Sequence, residues 1–285
     1  MKKSFFSLAS FLAQTLPLPI KQGLYNFPPL ARLIRGAINV SVGDGLDVVE
    51  VAAGELKGCR VLINLKTEKS RWLGTYEPEL QAALRDFLRP GMVAYDVGAN
   101  IGYVTLMIAR RVDSSGQVFA FEALPENVER IHKNMALNEL SNVAVVPAAV
   151  VDKSGPVKFY VHESVGMGKA AGSAGRRKER YKAEIDVHGL SLDEFVYAQG
   201  NPIPDAIKMD IEGGELLALP GMSRLLREAR PILFLELHGP ESEKVAWQVL
   251  TDCGYKLRGM QNGYPNIESP NQLGWKAYVI AEKAI

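Results

Sequence analysis

Carboxylate and imidazole side chains occur together at the ends of two apolar runs in the C-terminal half of the chain. Lys208, Asp210 and Glu212 close the first run, and Glu236 and His238 close the second. Residues two apart in a strand point to the same side, so each run would present its ionisable pair in one direction. Positioned carboxylates and imidazoles remove protons from reacting groups. These residues therefore predict a site in which His238 or Asp210 acts as a general base.

The same side chains allow two other interpretations. Asp210 and Glu212 precede Gly213 and could act at the N-terminus of a following helix, where the helix dipole favours carboxylates. The carboxylates together with His238 are also donors that suit magnesium or manganese. The spacing matches no recognised metal signature, and Lys208 within the group would repel a cation. A metal-free base is therefore the favoured prediction, and a divalent metal is the alternative.

A second chemical feature is the predicted strand–turn–helix corner at Val93–Ala109. Its turn consists of Gly98, Ala99, Asn100, Ile101 and Gly102. A dinucleotide site would read GxGxxG, whereas here Asn100 replaces the middle glycine and Gly102 comes one residue early. Asp96 at the strand end would oppose a pyrophosphate and would suit an amino group or a positive charge. The corner therefore predicts a ligand other than a dinucleotide.

Glu122 ends the next predicted strand, 20 residues after Gly102, and Ala123 follows it. A carboxylate at this position can accept hydrogen bonds from both hydroxyls of a ribose. Together, Asp96 and Glu122 fit an adenosine that carries a cationic, amino-acid-like tail. S-adenosylmethionine is such a ligand, so the sequence predicts it as the cofactor. Tyr103, on the first helical turn, fits packing and ligand contact equally well.

Strand and helix patterns alternate around these two features. This order indicates βαβ units, a mostly parallel sheet and ligand binding beyond the carboxyl ends of the strands. The predicted strands are Val93–Val97, Val118–Phe121, Val143–Val146, Val157–Val161, Ala206–Met209 and Pro231–Leu237, with Lys256 and Tyr278–Ala281 in antiparallel edge strands. The predicted helices are Thr75–Gly91, Pro125–Leu140, Ser191–Tyr197, Gly213–Glu228 and Glu241–Cys253, and Leu257–Trp275 is a long connection.

The remaining chain divides at residue 75. Residues 1–74 are predicted to form an N-terminal extension, which contains an amphipathic helix within residues 1–20 and a β-hairpin-like piece from Val48–Val51 and Arg60–Leu65. Residues 75–285 are predicted to form the main domain. The glycine-rich stretch at residues 163–182 interrupts it, either as a disordered surface insertion or as a flap over the acceptor. The basic residues of that stretch that could meet an anionic group are Lys169, Arg176, Arg177 and Arg180.

Composition limits the classes of partner. The 285 residues are 47% hydrophobic with a formal net charge of +1, so the chain is globular and has no overall field that would collect nucleic acid. Cys59 and Cys253 are far apart and lack a CxxC partner, which argues against a disulfide framework and a zinc site. A cytoplasmic location is the simplest prediction, and contact with a membrane surface through residues 1–20 is the alternative.

Five sequence blocks, taken in order, resemble the FkbM family of S-adenosylmethionine-dependent methyltransferases, which mostly methylate oxygen. The blocks read TYEPELQ, DVGANIGYVT, FEALPENVERIHKNMALN, AIKMDIEGGELLALPG and LFLELHG. The resemblance covers roughly Trp72 to Tyr255. It implies a Rossmann-like class I methyltransferase fold with a mostly parallel seven-stranded sheet and helices on both faces.

The resemblance also carries residue roles. By position it implies cofactor contacts from Asp96, Gly98, Asn100 and Gly102, a ribose contact from Glu122, adenine contact around Ala149 in Ala148–Val150, and places near the cofactor for Glu77 and Asn127. The expected activity is methyl transfer to a hydroxyl of a sugar, glycolipid or secondary metabolite. An NAD-dependent oxidoreductase and a non-catalytic adenosine-ligand binding module of the same fold are the alternatives. Neither the acceptor nor the oligomeric state follows from the residues.

Overall fold

The computed structural model describes residues 43–162, 167–174 and 181–283, together with Gly36. The amphipathic helix expected within residues 1–20 lies outside the described residues, as do Arg176, Arg177 and Arg180 of the expected flap. Within the described part of the chain, no helix has both the length and the apolar character needed to span a bilayer.

The described elements alternate as the sequence pattern indicates. The strands are β1 Asp47–Glu50, β2 Arg60–Ile63, β3 Val93–Val97, β4 Gln117–Phe121, β5 Val143–Val146, β6 Ala149–Val150, β7 Gly155–His162, β8 Gly168–Ala170, β9 Tyr181–Leu190, β10 Ala206–Met209, β11 Ile232–His238, β12 Tyr255–Gly259, β13 Asn266–Ile267 and β14 Lys276–Lys283. The helices are α1 Lys69–Leu73, α2 Pro78–Phe87, α3 Tyr103–Val112, α4 Pro125–Leu137, α5 Glu215–Ala218, α6 Ser223–Glu228 and α7 Pro240–Asp252, with a π-helical turn at Glu194–Ala198 and 3₁₀ turns at Pro220–Met222 and Pro270–Gln272.

The chain divides into two compact units. The smaller unit takes Met1–Gln81 with Ala136–Glu139, and its strands β1 and β2 pair antiparallel. The larger unit takes Ala82–Met135 with Leu140–Ile285 and contains both chemical features. The expected division at residue 75 into an extension and a main domain stays a prediction.

An eight-stranded sheet forms the larger unit, in the order β13-β12-β14-β11-β10-β3-β4-β5. The five strands from β11 to β5 are mutually parallel, and β14 runs antiparallel between β11 and β12. The Rossmann-like α/β fold is therefore confirmed, and so are the antiparallel edge strands. The expectation of seven strands misses β13, which pairs with β12 inside the stretch Leu257–Trp275 that was expected to be only a connection.

The expected strand Val157–Val161 does not join the main sheet. It lies in β7, in a separate four-stranded sheet with the order β6-β9-β7-β8. Phe159 and Val161 are buried in a small apolar cluster, whereas Lys158 is exposed, and this alternation is typical of an antiparallel strand with one covered face. Strand β8 lies within residues 163–182, so part of that stretch has regular structure.

The expected helix Gly213–Glu228 is wrong as a continuous element. It is divided into α5, the 3₁₀ turn at Pro220–Met222, and α6. Pro220 has no amide hydrogen for the helical ladder, and its ring would clash with the preceding turn. Gly221 packs so closely that a Cβ there would lie 2.4 Å from the Val151 carbonyl oxygen. The proline–glycine pair therefore lies in the 3₁₀ turn that separates the two helices.

An aromatic core fixes the middle of the sheet. The rings of Tyr95, Phe119, Phe121 and Phe195 contact one another with centroids 5.1–5.7 Å apart. Strands buried on both faces are mostly apolar, which is the pattern of β3, β4 and β10 apart from Asp96, Gln117 and Lys208. The register that results pairs Lys208 of β10 with Asp96 of β3 at the carboxyl edge.

Candidate active site

The corner between β3 and α3 is a tight turn with left-handed backbone at Gly98, Asn100 and Gly102 (φ 77°, 53° and 81°). A Cβ at Gly98 would lie 2.0 Å from the carbonyl oxygen of Asp210, so no other residue fits there. The amides of Gly98 and Ala99 both donate to the Phe121 carbonyl at 3.0 Å. The turn is therefore held directly against the ends of β4 and β10.

Glu122 connects the end of β4 to this turn. Its Oε2 accepts a hydrogen bond from the Asn100 amide at 2.7 Å, and its Oε1 accepts one from the Leu124 amide at 2.8 Å. Burial raises the pKa of Glu122 to about 7, although the amides of Leu124 and Asn100 and the Asn127 side chain act in the opposite direction. The bonds from Asn100, Leu124 and Asn127 still leave acceptor capacity on the carboxylate, which fits a ribose hydroxyl.

Asp96 is fully buried and does not face an open surface. Its Oδ2 accepts from the Thr105 hydroxyl at 2.6 Å, and its Oδ1 lies 3.1 Å from Lys208 Nζ. Lys208 Nζ also donates to the Gly98 carbonyl at 3.0 Å. Lys208, expected beside Asp210 in the catalytic group, is thus part of the corner. Thr105 was not singled out from the sequence, because its importance depends on the packing of α3 against β3.

The other residues expected near the cofactor differ in burial and in the unit to which they belong. Ala99, Tyr103, Asn127 and Ala149 are buried, Ala123 is half-buried, and Glu77 belongs to the smaller unit with a left-handed backbone (φ 47°). At 2% exposure, Tyr103 has the environment of a packing residue. Cofactor contact by each of these residues stays a prediction.

A cluster of ionisable groups surrounds His238 at the carboxyl ends of β10 and β11. Its Nε2 lies 3.0 Å from Glu236 Oε1, 3.9 Å from Asp210 Oδ1 and 4.0 Å from Glu212 Oε2. Two parallel neighbouring strands bring their ends to the same edge, which is why residues 26 and 28 positions apart meet here. The structure therefore brings together four of the five residues that the sequence grouped.

The charge on His238 is set by its carboxylate neighbours. Burial opposes the protonated form, but hydrogen bonds to Glu215 and Glu236 and the charge of Asp210 outweigh burial and raise the pKa of His238 to about 10. The imidazole is therefore protonated at neutral pH in this arrangement. A protonated imidazole cannot accept a proton, whereas the Asp210 side chain is partly exposed at 21%. The geometry favours Asp210 over His238 as the base.

Lys276 and Glu215 complete the cluster, and neither was singled out from the sequence. Lys276 of β14 pairs with Glu236, because the antiparallel register places it opposite His238. Burial opposes the charge on Glu236, but hydrogen bonds from His238 and Lys276 lower its pKa overall. Glu215 lies on the first turn of α5, 3.4 Å from His238 Nδ1. The block KMDIEGGE ends in Glu215, so the sequence contained this signal.

The donor types of this cluster also suit a divalent cation. Asp210, Glu236 and His238 each place a ligand-type atom so that all three lie within 4.8 Å of one another. Glu236, however, already has two cationic partners, His238 and Lys276. A metal ion would have to displace the proton of His238 and move Lys276 away, because like charges repel at such distances. The metal therefore stays the alternative.

Comparison with known sequences identifies the family. The profile of the Methyltransferase FkbM domain matches residues 96–257, more than half of the chain. The hexuronic acid methyltransferase AglP of Haloferax volcanii is 26% identical over 163 residues, which are 56% of this chain and 62% of AglP. A protein-L-isoaspartate O-methyltransferase of Triticum aestivum is 34% identical over 80 residues, 28% of this chain and 31% of that protein. The chain thus spans less than two thirds of either relative.

Solved structures with a similar fold are more distant in sequence. A methyltransferase FkbM from Methylobacillus flagellatus is 16% identical with a TM-score of 0.42, covering 76% of this chain and 54% of that one. A precorrin-6y C5,15-methyltransferase from Geobacter metallireducens is 16% identical with a TM-score of 0.44, covering 73% and 90%. From the profile match across the corner and the His238 cluster, the chain belongs to the FkbM methyltransferase domain family.

Proposed function

We propose that the chain transfers a methyl group from S-adenosylmethionine to a hydroxyl of a sugar, glycolipid or secondary metabolite. The observation that carries the proposal is the direct junction between the two chemical features. The Asp210 amide donates to the Val97 carbonyl at 3.1 Å, and Gly98 packs on the Asp210 carbonyl. Methyl transfer is an in-line displacement, so a donor site and a base must be adjacent. Here, the glycine turn and the candidate base are in backbone contact.

The corner supplies the cofactor contacts in this proposal. Glu122 would bind the ribose hydroxyls, and the backbone of the turn from Gly98 to Gly102 would lie against the amino-acid tail. Lys208 neutralises Asp96 from the buried side of the corner. The cofactor contributes an electrophilic methyl group on a sulfonium. Residues of the corner would orient that group towards the acceptor.

Asp210 is the base that we favour for the acceptor hydroxyl. His238, protonated at neutral pH, would stabilise the negative charge of Asp210 and Glu236 and fix their positions. Proton removal by a positioned carboxylate is expected to contribute about a hundredfold or more in rate. Lys208, Glu212 and Glu236 then serve as charge partners and do not themselves remove the proton.

The acceptor class rests on the relative AglP, which is named for a hexuronic acid. A sugar hydroxyl is therefore the acceptor that we favour, and an acidic sugar is the first one to test. Lys169 on β8 is buried and donates to the Ala174 carbonyl at 2.7 Å, and the Ala174 amide donates to Gly213 beside the cluster. The second sheet thereby brings a basic residue toward the turn after β10, where an anionic acceptor would bind.

Isothermal calorimetry with S-adenosylhomocysteine tests the cofactor assignment without knowledge of the acceptor. We expect measurable binding to the wild type and binding about tenfold weaker in Glu122→Gln, which replaces an acceptor oxygen by an amide nitrogen that cannot accept a hydrogen bond from a ribose hydroxyl. Glu126→Gln is a matched control, because Glu126 is exposed on the first turn of α4. No heat with millimolar S-adenosylhomocysteine would refute the proposal, and heat with NAD instead would favour the oxidoreductase alternative.

A chelator separates the metal-free version from the metal alternative. In the metal-free version, methyl transfer to a sugar acceptor is unchanged after incubation with EDTA and removal of the chelator. Loss of activity that magnesium or manganese restores would assign Asp210, Glu236 and His238 to the metal instead. S-adenosylhomocysteine binding is measured on the same samples to show that the corner is intact.

A further inference from the structure

We propose that Glu215 is a positioning residue of the methyl-transfer site, which holds the His238 imidazole and the turn carrying Asp210 and Glu212 in a single arrangement. The inference rests on the proposed function, because this arrangement matters to the chain only if the cluster serves the reaction. Glu215 itself lies behind the cluster and is fully buried. It would therefore act through its neighbours and not on the acceptor.

The first contact of Glu215 is with the turn after β10. Its Oε1 accepts hydrogen bonds from the Ile211 amide at 3.1 Å and the Gly213 amide at 3.3 Å. Between these two amides, Glu212 has a left-handed backbone (φ 54°), which costs energy for a residue other than glycine. Such a conformation persists only where the surroundings hold it. Glu215 provides two of the bonds that hold this turn.

The second contact is with His238. The same Oε1 lies 3.4 Å from Nδ1 of the imidazole, on the side opposite the reacting groups. A hydrogen bond at one ring nitrogen fixes the ring orientation and determines what the other nitrogen can do. With Nδ1 directed to Glu215, Nε2 is directed to Glu236 and towards Asp210. One buried carboxylate thus determines both the backbone that carries Asp210 and the imidazole that faces it.

A purely structural helix cap does not account for Glu215. The helix that it begins has only four residues, and a neutral Ser, Thr or Asn at a helix start satisfies amides without burying a charge. Its Oε2 is buried and has no hydrogen-bond partner among the described residues. A buried carboxylate in this state is costly unless a cation lies close to it. His238 is that cation, so the carboxylate and the imidazole stabilise each other.

The electrostatic surroundings of His238 involve every element packed around it. Asp210 and Glu212 after β10, Glu215 on α5 and Glu236 on β11 lie within 3.0–4.0 Å of the imidazole, and Lys276 on β14 pairs with Glu236. Helix α7, which follows β11, carries Glu241 and Glu243 in its first turn. Among all these groups, Glu215 and Glu236 make the hydrogen bonds that favour the protonated imidazole. Removing the charge of Glu215 should therefore change the titration of His238.

The test is a pH titration of the histidine side chains by ¹H–¹⁵N NMR on the full chain. The chain has four histidines, and the spectrum of His238→Gln assigns the signal of His238. In the wild type we expect His238 to stay protonated through neutral pH, with Nδ1 hydrogen-bonded. In Glu215→Gln, whose amide oxygen can still accept from Ile211 and Gly213, we expect the midpoint to fall by about one pH unit or more.

Glu243→Gln is the matched control, because Glu243 is a partly buried glutamate on the adjacent helix without a contact to His238 among those described. It should leave the His238 midpoint at its wild-type value. An unchanged midpoint in a folded Glu215→Gln overturns the proposal, and so does an equal shift in Glu243→Gln. If Glu215→Gln does not fold, the wild-type spectrum decides, because a neutral His238 or an Nδ1 without a hydrogen bond refutes the positioning role.

Calorimetry on the same samples separates this inference from the proposed function. Glu215→Gln should bind S-adenosylhomocysteine as tightly as the wild type, since Glu215 is not part of the corner. A wild type that binds no S-adenosylhomocysteine but shows the expected His238 titration would refute the methyl transfer and leave the Glu215 contact established. Loss of S-adenosylhomocysteine affinity in Glu215→Gln alone would show a general structural role and overturn the positioning assignment.

Discussion

Glu122 at the corner and Glu236 in the His238 cluster are stabilised by different kinds of partner. At the corner, Glu122 accepts hydrogen bonds from the amides of Asn100 and Leu124 and from the Asn127 side chain, all within 22 residues of it. In the cluster, Glu236 is satisfied by the side chains of His238 and Lys276, the second from a strand that returns antiparallel. Backbone donors cannot be removed by mutation, whereas side-chain donors can. Glu122 should therefore tolerate substitutions of nearby charges better than Glu236 does, whereas Asp96 depends on the side chain of Lys208.

The largest effect is expected for Asp210→Asn. This change removes the candidate base while keeping the shape of the side chain, so turnover should fall about a hundredfold or more. The affinity for S-adenosylhomocysteine should remain nearly that of the wild type, because Asp210 contacts the corner through its backbone. Single-turnover methyl transfer to an acidic sugar acceptor measures the first quantity, and calorimetry measures the second.

Asp252→Asn is a suitable control, since Asp252 is an exposed residue at the end of α7. Wild-type turnover in Asp210→Asn would refute its assignment as the base. A parallel loss of cofactor affinity would instead show that the corner and the cluster are not separable.

His238→Ala should lower turnover by a similar factor and also destabilise the fold. Glu215 and Glu236 would lose their common cation, and breaking a buried ion pair typically costs about 3–5 kcal/mol. Urea denaturation at pH 7 measures the loss, with His188→Ala on β9 as the comparison. A His238→Ala variant as stable as the wild type would contradict the pairing seen around His238.

Stability should also depend on pH through His238. Its pKa of about 10 in the folded chain lies above the value of about 6.5 expected in the unfolded chain. The folded state therefore holds a proton that the unfolded state releases above pH 6.5. The stabilisation is complete below about pH 6.5 and is lost as the pH rises towards 10.

Urea denaturation at several pH values from 6 to 10 can detect this dependence. The difference in unfolding free energy between the wild type and His238→Ala should shrink steadily over that range. A difference that stays constant, or that grows with pH, would show that His238 is not protonated in the folded chain.

The smallest effect is expected for Lys276→Gln. The Lys276 side chain is 43% exposed, and ion pairs with exposed partners contribute little. His238 would still pair with Glu236, so turnover should fall only about threefold, within the range of a pair worth less than about 1 kcal/mol. Lys283→Gln, at the other end of β14, is the matched control. A loss as large as that of Asp210→Asn would make Lys276 a central residue of the cluster.

Much of the corner was predictable because its parts are close in sequence. The turn from Gly98 to Gly102 and the carboxylate of Glu122 lie in one βαβ unit, whose geometry follows from local patterns. The exception is the set of partners of Asp96, a residue whose cofactor contact stays a prediction. The structure surrounds it with Thr105 and Lys208, and only the packing of α3 and β10 could reveal those partners.

The sequence predicted the helices and strands less well where packing against neighbouring segments overrode the local pattern. Pro220 divides an apparently continuous helix, and β7 has a strand pattern that does not say which sheet it joins. A two-residue period identifies a strand, but the partner depends on contacts with distant segments such as β9. The second sheet could therefore not be derived from spacing alone.

By itself, the sequence determined the α/β order, the glycine turn, the place of Glu122 directly after β4 and the grouping of Asp210, Glu212, Glu236 and His238. These depend on short-range periodicity, which the chain carries locally. The tertiary structure decided the charge of His238, the pairing of Lys208 with Asp96 at the corner, and the contacts of Lys276 and Glu215 in the cluster. Each of these depends on burial and on the register between strands that are far apart in sequence. The pKa of His238, for example, is set by its burial and by carboxylates on neighbouring elements.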